Sequence, residues 1–166
     1  MFDCAYCVSL DRRADRWERF VQNIPSDWPF CEVERFAGID GKLCPTPAWW
    51  KQGGGAWGCY RSHLTLIEQA LNRGHESILL FEDDAVFCEG FSQRATEFLE
   101  AVPDDWGMIY FGGQHLFVNQ NPPLRVNDLV FRPYNLNRTH AFALRGPTMR
   151  RGGRDEGLSQ TLSSAT

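Results

Sequence analysis

The chain has 166 residues, 43% hydrophobic and 23% charged, with a formal net charge of −4. That is enough for one domain with a real core, and it excludes a basic stripe of the kind that binds nucleic acid. No apolar run approaches the roughly 20 residues needed to span a membrane, and MFDCAYCVSLDRR lacks a basic segment followed by an apolar one, so neither a transmembrane segment nor a signal peptide is expected.

Residues 4–10, CAYCVSL, read as a first strand. Cys4 and Cys7 form a C-x-x-C inside it, with no second cysteine or histidine pair at zinc spacing, so zinc or redox use is disfavoured. Free thiols and a cytoplasmic setting are expected for all six cysteines. Asp11 is placed to cap a helix from Arg12 to about Asn23, whose Trp17, Phe20, Val21 and Ile24 share one face. Pro25 ends it, and a second strand follows at Glu32 to Phe36, then the turn GIDG at 38–41.

Residues 42–55 read as a loop with Pro45, Pro47 and three consecutive glycines; Trp49 and Trp50 are read as loop packing. A helix is predicted from Ala56 to Asn72, with Tyr60, Leu64, Ile67 and Leu71 on one face and Gly74 as its cap. Next comes ILLFEDDAVF, 78–87, where an apolar strand runs into Glu82, Asp83 and Asp84. Three adjacent carboxylates repel one another and lose hydration beside an apolar wall. A hard divalent cation held there would offset both costs, whereas a solvated turn would need no ion. A helix from Phe91 to Val102, an apolar strand at 107–113 and a loop at 114–128 follow. Short strands are expected at Leu129–Arg132 and Thr139–Leu144.

This alternation argues for a mostly parallel α/β sheet flanked by helices, with ligands beyond the carboxyl ends of the strands. SLDRR, EDD and FGGQ all follow strands and so point to the same edge. Arg12, Arg13 and Arg16 suit a phosphate by their forked donors, although, taken alone, a solvated helix face paired with Asp11, Asp15 and Glu18 is the favoured reading. Neither G-x-x-x-x-G-K-[ST] nor a strand-linked G-x-G-x-x-G is present. A receiver-type acidic cluster would want a later lysine, but Lys42 and Lys51 both precede the triplet.

CVSLDRRADRWERF, GIDG, GAWGCYRSHLTLIEQAL and ILLFEDDAVF, in this order and spacing, resemble glycosyltransferase family 25. That family includes lipopolysaccharide-type β-galactosyltransferases and relatives of procollagen galactosyltransferase; the resemblance covers roughly residues 4–113. It implies a GT-A-like, Rossmann-type domain over residues 1–148. It also implies inverting transfer of a sugar, with galactose favoured, from a UDP-sugar to a hydroxyl of a glycan, lipooligosaccharide or protein, assisted by Mn2+ or Mg2+. Carried over, Leu10, Asp11, Arg12, Arg16, Asp40, Ser62, His63, Asp83, Gly112, Gly113 and Gln114 fall to the donor, and Glu82 and Asp84 to the metal. Gly58 and Cys59 belong to the same G-C-x-x-S-H element, with Cys59 read as a small buried residue rather than a nucleophile.

After Leu144 the resemblance stops: the further helix and His/Asp-containing segment usual in the family are not found, and no catalytic base is assigned. His140 is set aside as interior to a strand. Residues 149–166, poor in apolar side chains, are expected to form a flexible tail. The alternative to an active transferase is therefore a truncated or degenerate member that holds a nucleotide sugar without transferring it.

Overall fold

The computed structural model describes residues 2–152. In chain order these form β1 (Cys4–Ser9), a 3-10 turn (Asp11–Arg13), α1 (Ala14–Asn23), β2 (Val33–Ala37), α2 (Gly53–Asn72), β3 (Ser77–Glu82) and α3 (Phe91–Ala101). They continue with β4 (Met108–His115), β5 (Leu124–Arg125), β6 (Phe131–Arg132), β7 (Leu136–Arg145) and α4 (Gly146–Gly152). Five strands make one sheet in the order β2-β1-β3-β7-β4, while β5 and β6 pair separately. β1 runs parallel to β2 and β3, and β7 runs antiparallel to both β3 and β4. Four strands of the main sheet therefore share one direction, as expected for a mostly parallel α/β sheet, and β7 alone opposes them.

Alternation along the strands divides the core. Tyr6, Ile78, Leu80, Phe142 and Leu144 face one side, where Tyr60, Leu64 and Ile67 of α2 cover them. Ala5, Cys7, Leu79, Phe81 and Ala143 face the other, against Phe20 of α1 and the half-buried Trp17, Trp28, Phe87 and Phe98. Successive side chains of a strand point to opposite faces. Cys4 and Cys7, three apart, thus lie on opposite sides of the sheet and cannot share a ligand, and all six cysteines are free.

Several boundaries differ from the sequence reading. Asp11 does not cap α1: Leu10 precedes the 3-10 turn, Arg13 precedes the α-helix, and neither makes a side-chain capping bond. Asp11 instead pairs with Arg35 of β2 at 2.7 Å. α2 begins at Gly53, three residues before the predicted start, so its first turn is built from the glycines assigned to the loop. Gly74 does terminate the helix, with φ +82 and its N–H donated to Leu71 at 3.0 Å. The chain also remains ordered past Leu144. Met149, where the tail is expected to begin, sits in α4 fully buried against the α2 face, because it brings the long apolar side chain that the local composition otherwise lacks. Residues 153–166, the rest of the expected tail, lie outside the described residues.

Candidate active site

β1 and β3 are neighbours and end side by side, at Ser9 and Glu82. Because β7 runs the other way, its first residues arrive at this same edge. The register pairs Phe81 with Ala141, which sets Glu82 opposite His140. Arg138 has φ 86, a left-handed conformation rare for a residue with a side chain, and β4 is irregular against β7 at Gly112. Beyond this kink Thr139 and His140 both reach Glu82.

The acidic triplet is divided among different partners. Glu82 Oε1 accepts a hydrogen bond from the Thr139 hydroxyl and lies 3.6 Å from Cys59 Sγ and 3.8 Å from His63 Nε2. Its other oxygen is 3.5 Å from His140 Nδ1, which is 2.9 Å from Asp84 Oδ1. Arg16 spans the remaining two carboxylates, 2.8 Å from Asp83 and 2.8 Å from Asp84. Burial acts to raise the Glu82 carboxyl, but His140, His63 and Thr139 outweigh it and hold the group at about 2. Asp83 moves upward, chiefly through burial. His140 is raised above its ordinary 6.5, first by Glu82 and further by Asp84. His63, fully buried, is pushed down from its ordinary value by loss of hydration, which the Glu82 charge partly opposes.

Two cavities open on either side of Asp84. One, of about 300 Å³, is lined by Arg13, Arg16, Arg19, Asp83 and Asp84. The other, of about 780 Å³, has aromatic walls from Phe87, Phe91 and Phe111, with Arg138 and His140 at its polar end. Gly112, Gly113 and Gln114 line this second cavity together with Asp84. Arg16, Asp83, Asp84 and Glu82 are thus in one contact network, and the β4 glycines share a cavity with it.

Arg12 and Asp40 form a second group, joined by an ion pair that holds the Asp40 carboxyl below its ordinary value. Ser62 is buried and reaches this group only through the turn: its hydroxyl accepts from the Ile39 N–H at 2.7 Å and donates to the Gly58 carbonyl at 2.7 Å. Leu10 is half-buried at the end of β1. Asp11 pairs with Arg35 of β2, not with a residue of the triplet network. Trp50 packs against Trp57 and Tyr60, whereas Trp49 touches the same cluster but is 65% exposed.

His140 and Thr139 are site residues that the sequence reading passed over. A signal for them exists: RTH leads into the apolar run AFAL as the mirror of ILLF leading out into EDD. Antiparallel neighbours bring such polar ends together. One ligand atom each from Glu82, Asp84 and His140 lie within 4.8 Å of one another. Two carboxylates and an imidazole suit Mn2+ and, through the carboxylates, Mg2+, so the residues present fit a divalent ion.

The chain is thus an α/β domain with an acidic cluster at its strand ends, flanked by an arginine-lined and an aromatic-lined cavity, at the sheet edge where domains of this class carry their ligand sites. A match to glycosyltransferase family 25 (LPS biosynthesis protein) spans residues 2–143, and the chain belongs to that family. It is 26% identical over 156 residues to procollagen galactosyltransferase 1 of Danio rerio, covering 81% of this chain and 26% of the relative. It is 26% identical over 139 residues to procollagen galactosyltransferase 2 of Mus musculus, covering 72% and 22%. The inactive glycosyltransferase 25 family member 3 of Homo sapiens is 30% identical over 132 residues, covering 67% and 22%. The chain therefore spans about a quarter of the length of these relatives.

Proposed function

We propose that the chain is the donor-binding unit of a metal-assisted glycosyltransferase that takes a UDP-sugar, with galactose favoured, and inverts the anomeric centre on transfer to an acceptor hydroxyl. The observation that carries this reading is the Glu82–Asp84–His140 cluster at the strand ends, set between the two cavities. Glu82, Asp84 and His140 would hold Mn2+ or Mg2+. When bound, the ion would neutralise the diphosphate and stabilise the charge on the departing UDP.

The chain's own residues do the rest. Arg13, Arg16 and Arg19 attract the donor's phosphates into the smaller cavity. Arg16 bridges Asp83 and Asp84 in the meantime and keeps the neighbouring carboxylates from repelling one another. The aromatic cavity offers ring faces to the apolar side of a sugar, with Gly112 leaving room in the wall it shares with Asp84. The acceptor is a hydroxyl of a glycan, a lipooligosaccharide or a protein.

A second reading, a binding module that does not transfer, draws on the inactive human relative, 30% identical over 132 residues beside 26% over 156 for procollagen galactosyltransferase 1. It also draws on the aromatic cavity: among the described residues, its only Asp, Glu or His side chains are Asp84 and His140, both committed to the cluster. An inverting transfer needs a base for the acceptor proton. Calorimetry of UDP-galactose binding in Mn2+ and in EDTA tests the donor site, and equal affinity in the two would overturn the metal-assisted reading. Product formation on galactosides and hydroxylysine peptides, beside UDP release, separates the two readings. We expect binding with slow transfer and hydrolysis; turnover near the ~10 s⁻¹ typical of enzymes would place a base within residues 114–145.

A further inference from the structure

Cys59 and His63 are four residues apart on α2, the spacing that puts two side chains on one helical face. That face meets the end of β3. Cys59 Sγ is 3.9 Å from His63 Nδ1 and 3.6 Å from Glu82 Oε1, and His63 Nε2 is 3.8 Å from the same Glu82 oxygen. One ligand atom from each of the three lies within 4.8 Å of the others. Zn–S and Zn–N lengths of about 2.3 and 2.0 Å put tetrahedral ligands about 3.5 Å apart. Taking His63 Nε2 as the ligand atom, the 3.6 Å from Cys59 Sγ to Glu82 Oε1 and the 3.8 Å from Glu82 Oε1 to His63 Nε2 stand close to two edges of such a shell. Independently, His63 is 1% exposed and its Nε2 has no hydrogen-bond partner. A buried ring nitrogen in that state calls for a ligand.

We propose that Cys59, His63 and Glu82 form an inner metal site for a thiophilic divalent ion such as Zn2+, distinct from the outer site of Glu82, Asp84 and His140. The donor set decides the ion. A thiolate and an imidazole select Zn2+ over Mn2+ and Mg2+, and one thiolate with one carboxylate brings a doubly charged ion to neutrality where hydration is lost. Binding displaces the Cys59 thiol proton to solvent as the S–metal bond forms. Three protein ligands leave a fourth position open. The Thr139 hydroxyl already donates to Glu82 Oε1 and steadies the carboxylate, whose other oxygen faces His140. Glu82 then bridges an inner soft site and an outer hard one. This inference does not depend on the donor reading, since it uses neither the arginine cavity nor a nucleotide.

Co2+ is the probe, because a cobalt–thiolate bond gives a charge-transfer band in the near ultraviolet that oxygen and nitrogen ligands do not. Titrated into the full chain, Co2+ should raise this band to saturation. The band should be lost in Cys59→Ser and retained in Asp84→Asn, while Cys59→Ser keeps the wild-type affinity for Mn2+ within about twofold. No band in the wild type, or an unchanged band in folded Cys59→Ser, overturns the site. Should Cys59→Ser not fold, X-ray absorption of the wild-type chain loaded with Zn2+ decides: a shell with one sulfur supports the site, and a shell of oxygen and nitrogen alone overturns it.

Discussion

On one flank of the acidic triplet, α2 and the turn at 38–41 meet backbone to backbone. A Cβ on Gly58 would stand 2.5 Å from the Gly41 nitrogen and 2.5 Å from the Ile39 oxygen, and one on Gly41 would meet the Gly54 carbonyl at 1.7 Å. On the other flank, a Cβ on Gly112 would find nothing within 4 Å, and Val86 is 82% exposed. The first flank uses glycine to let two backbones touch; the second uses it to leave a cavity open. Close packing fixes the Asp40 turn against Ser62, whereas the open β4 flank leaves space for a ligand.

The contrast breaks first at Gly58. Gly58→Val forces a branched side chain against main-chain atoms that cannot rotate away, and we expect a loss on the order of 3 kcal/mol or more. For a domain of this size that lowers Tm by about 10 °C in a thermal melt; a melt within about 2 °C of wild type would show that the two backbones separate at little cost. Asp84→Asn comes next. It is exposed on the open side of the cluster, so its stability should hold. Its UDP affinity in Mn2+ should fall by about 2 kcal/mol, roughly 30-fold, in calorimetry, because a charged ligand atom becomes an amide.

A smaller effect concerns pH. His140 is held above its ordinary 6.5 by Glu82 and Asp84, so it is protonated to a higher pH than a free imidazole. A protonated imidazole cannot ligate, so Mn2+ affinity should rise as pH climbs through the raised His140 value and fall below it. Titration of Mn2+ binding by electron paramagnetic resonance at several pH values reads this directly; a flat profile in wild type, or one that His140→Gln leaves unchanged, would remove His140 from the ligand set. The smallest effect is at Gly112. Gly112→Ala should change stability by no more than about 0.5 kcal/mol. A fall in UDP-galactose affinity without that in UDP affinity would place the sugar against β4.

Much of the sheet could be read locally. Ile78 to Phe81 form an apolar run because both faces of β3 are covered, and all four are fully buried. The α2 face of Tyr60, Leu64 and Ile67 followed from helical spacing alone, and Gly74 from the need for a left-handed cap. The acidic triplet announced itself because three carboxylates after a buried strand demand compensation. The helix start at Gly53 runs against the low helix propensity of three glycines, and of these Gly54 is the one whose Cβ would meet the 38–41 turn, 2.7 Å from the Gly41 oxygen, a long-range contact that local pattern does not carry.

What local pattern could not supply was direction and distance. A strand of alternating or apolar residues looks the same whichever way it runs, so β7 could not be seen to deliver Thr139 and His140 to Glu82, and His140 was set aside for lying in a strand. Asp84 and His140 are 56 residues apart, and only the pairing of β7 between β3 and β4 closes that gap. Met149 is the same case in the core, where one apolar residue in a polar stretch is buried because α4 docks on the α2 face. Hydrophobicity and charge belong to each residue, so the order of amino acids already says which side chains must leave water and which carboxylates must find a partner. Which partner each carboxylate meets is fixed by the folded sheet, because strand order and direction arise from long-range pairing that no short window of residues contains.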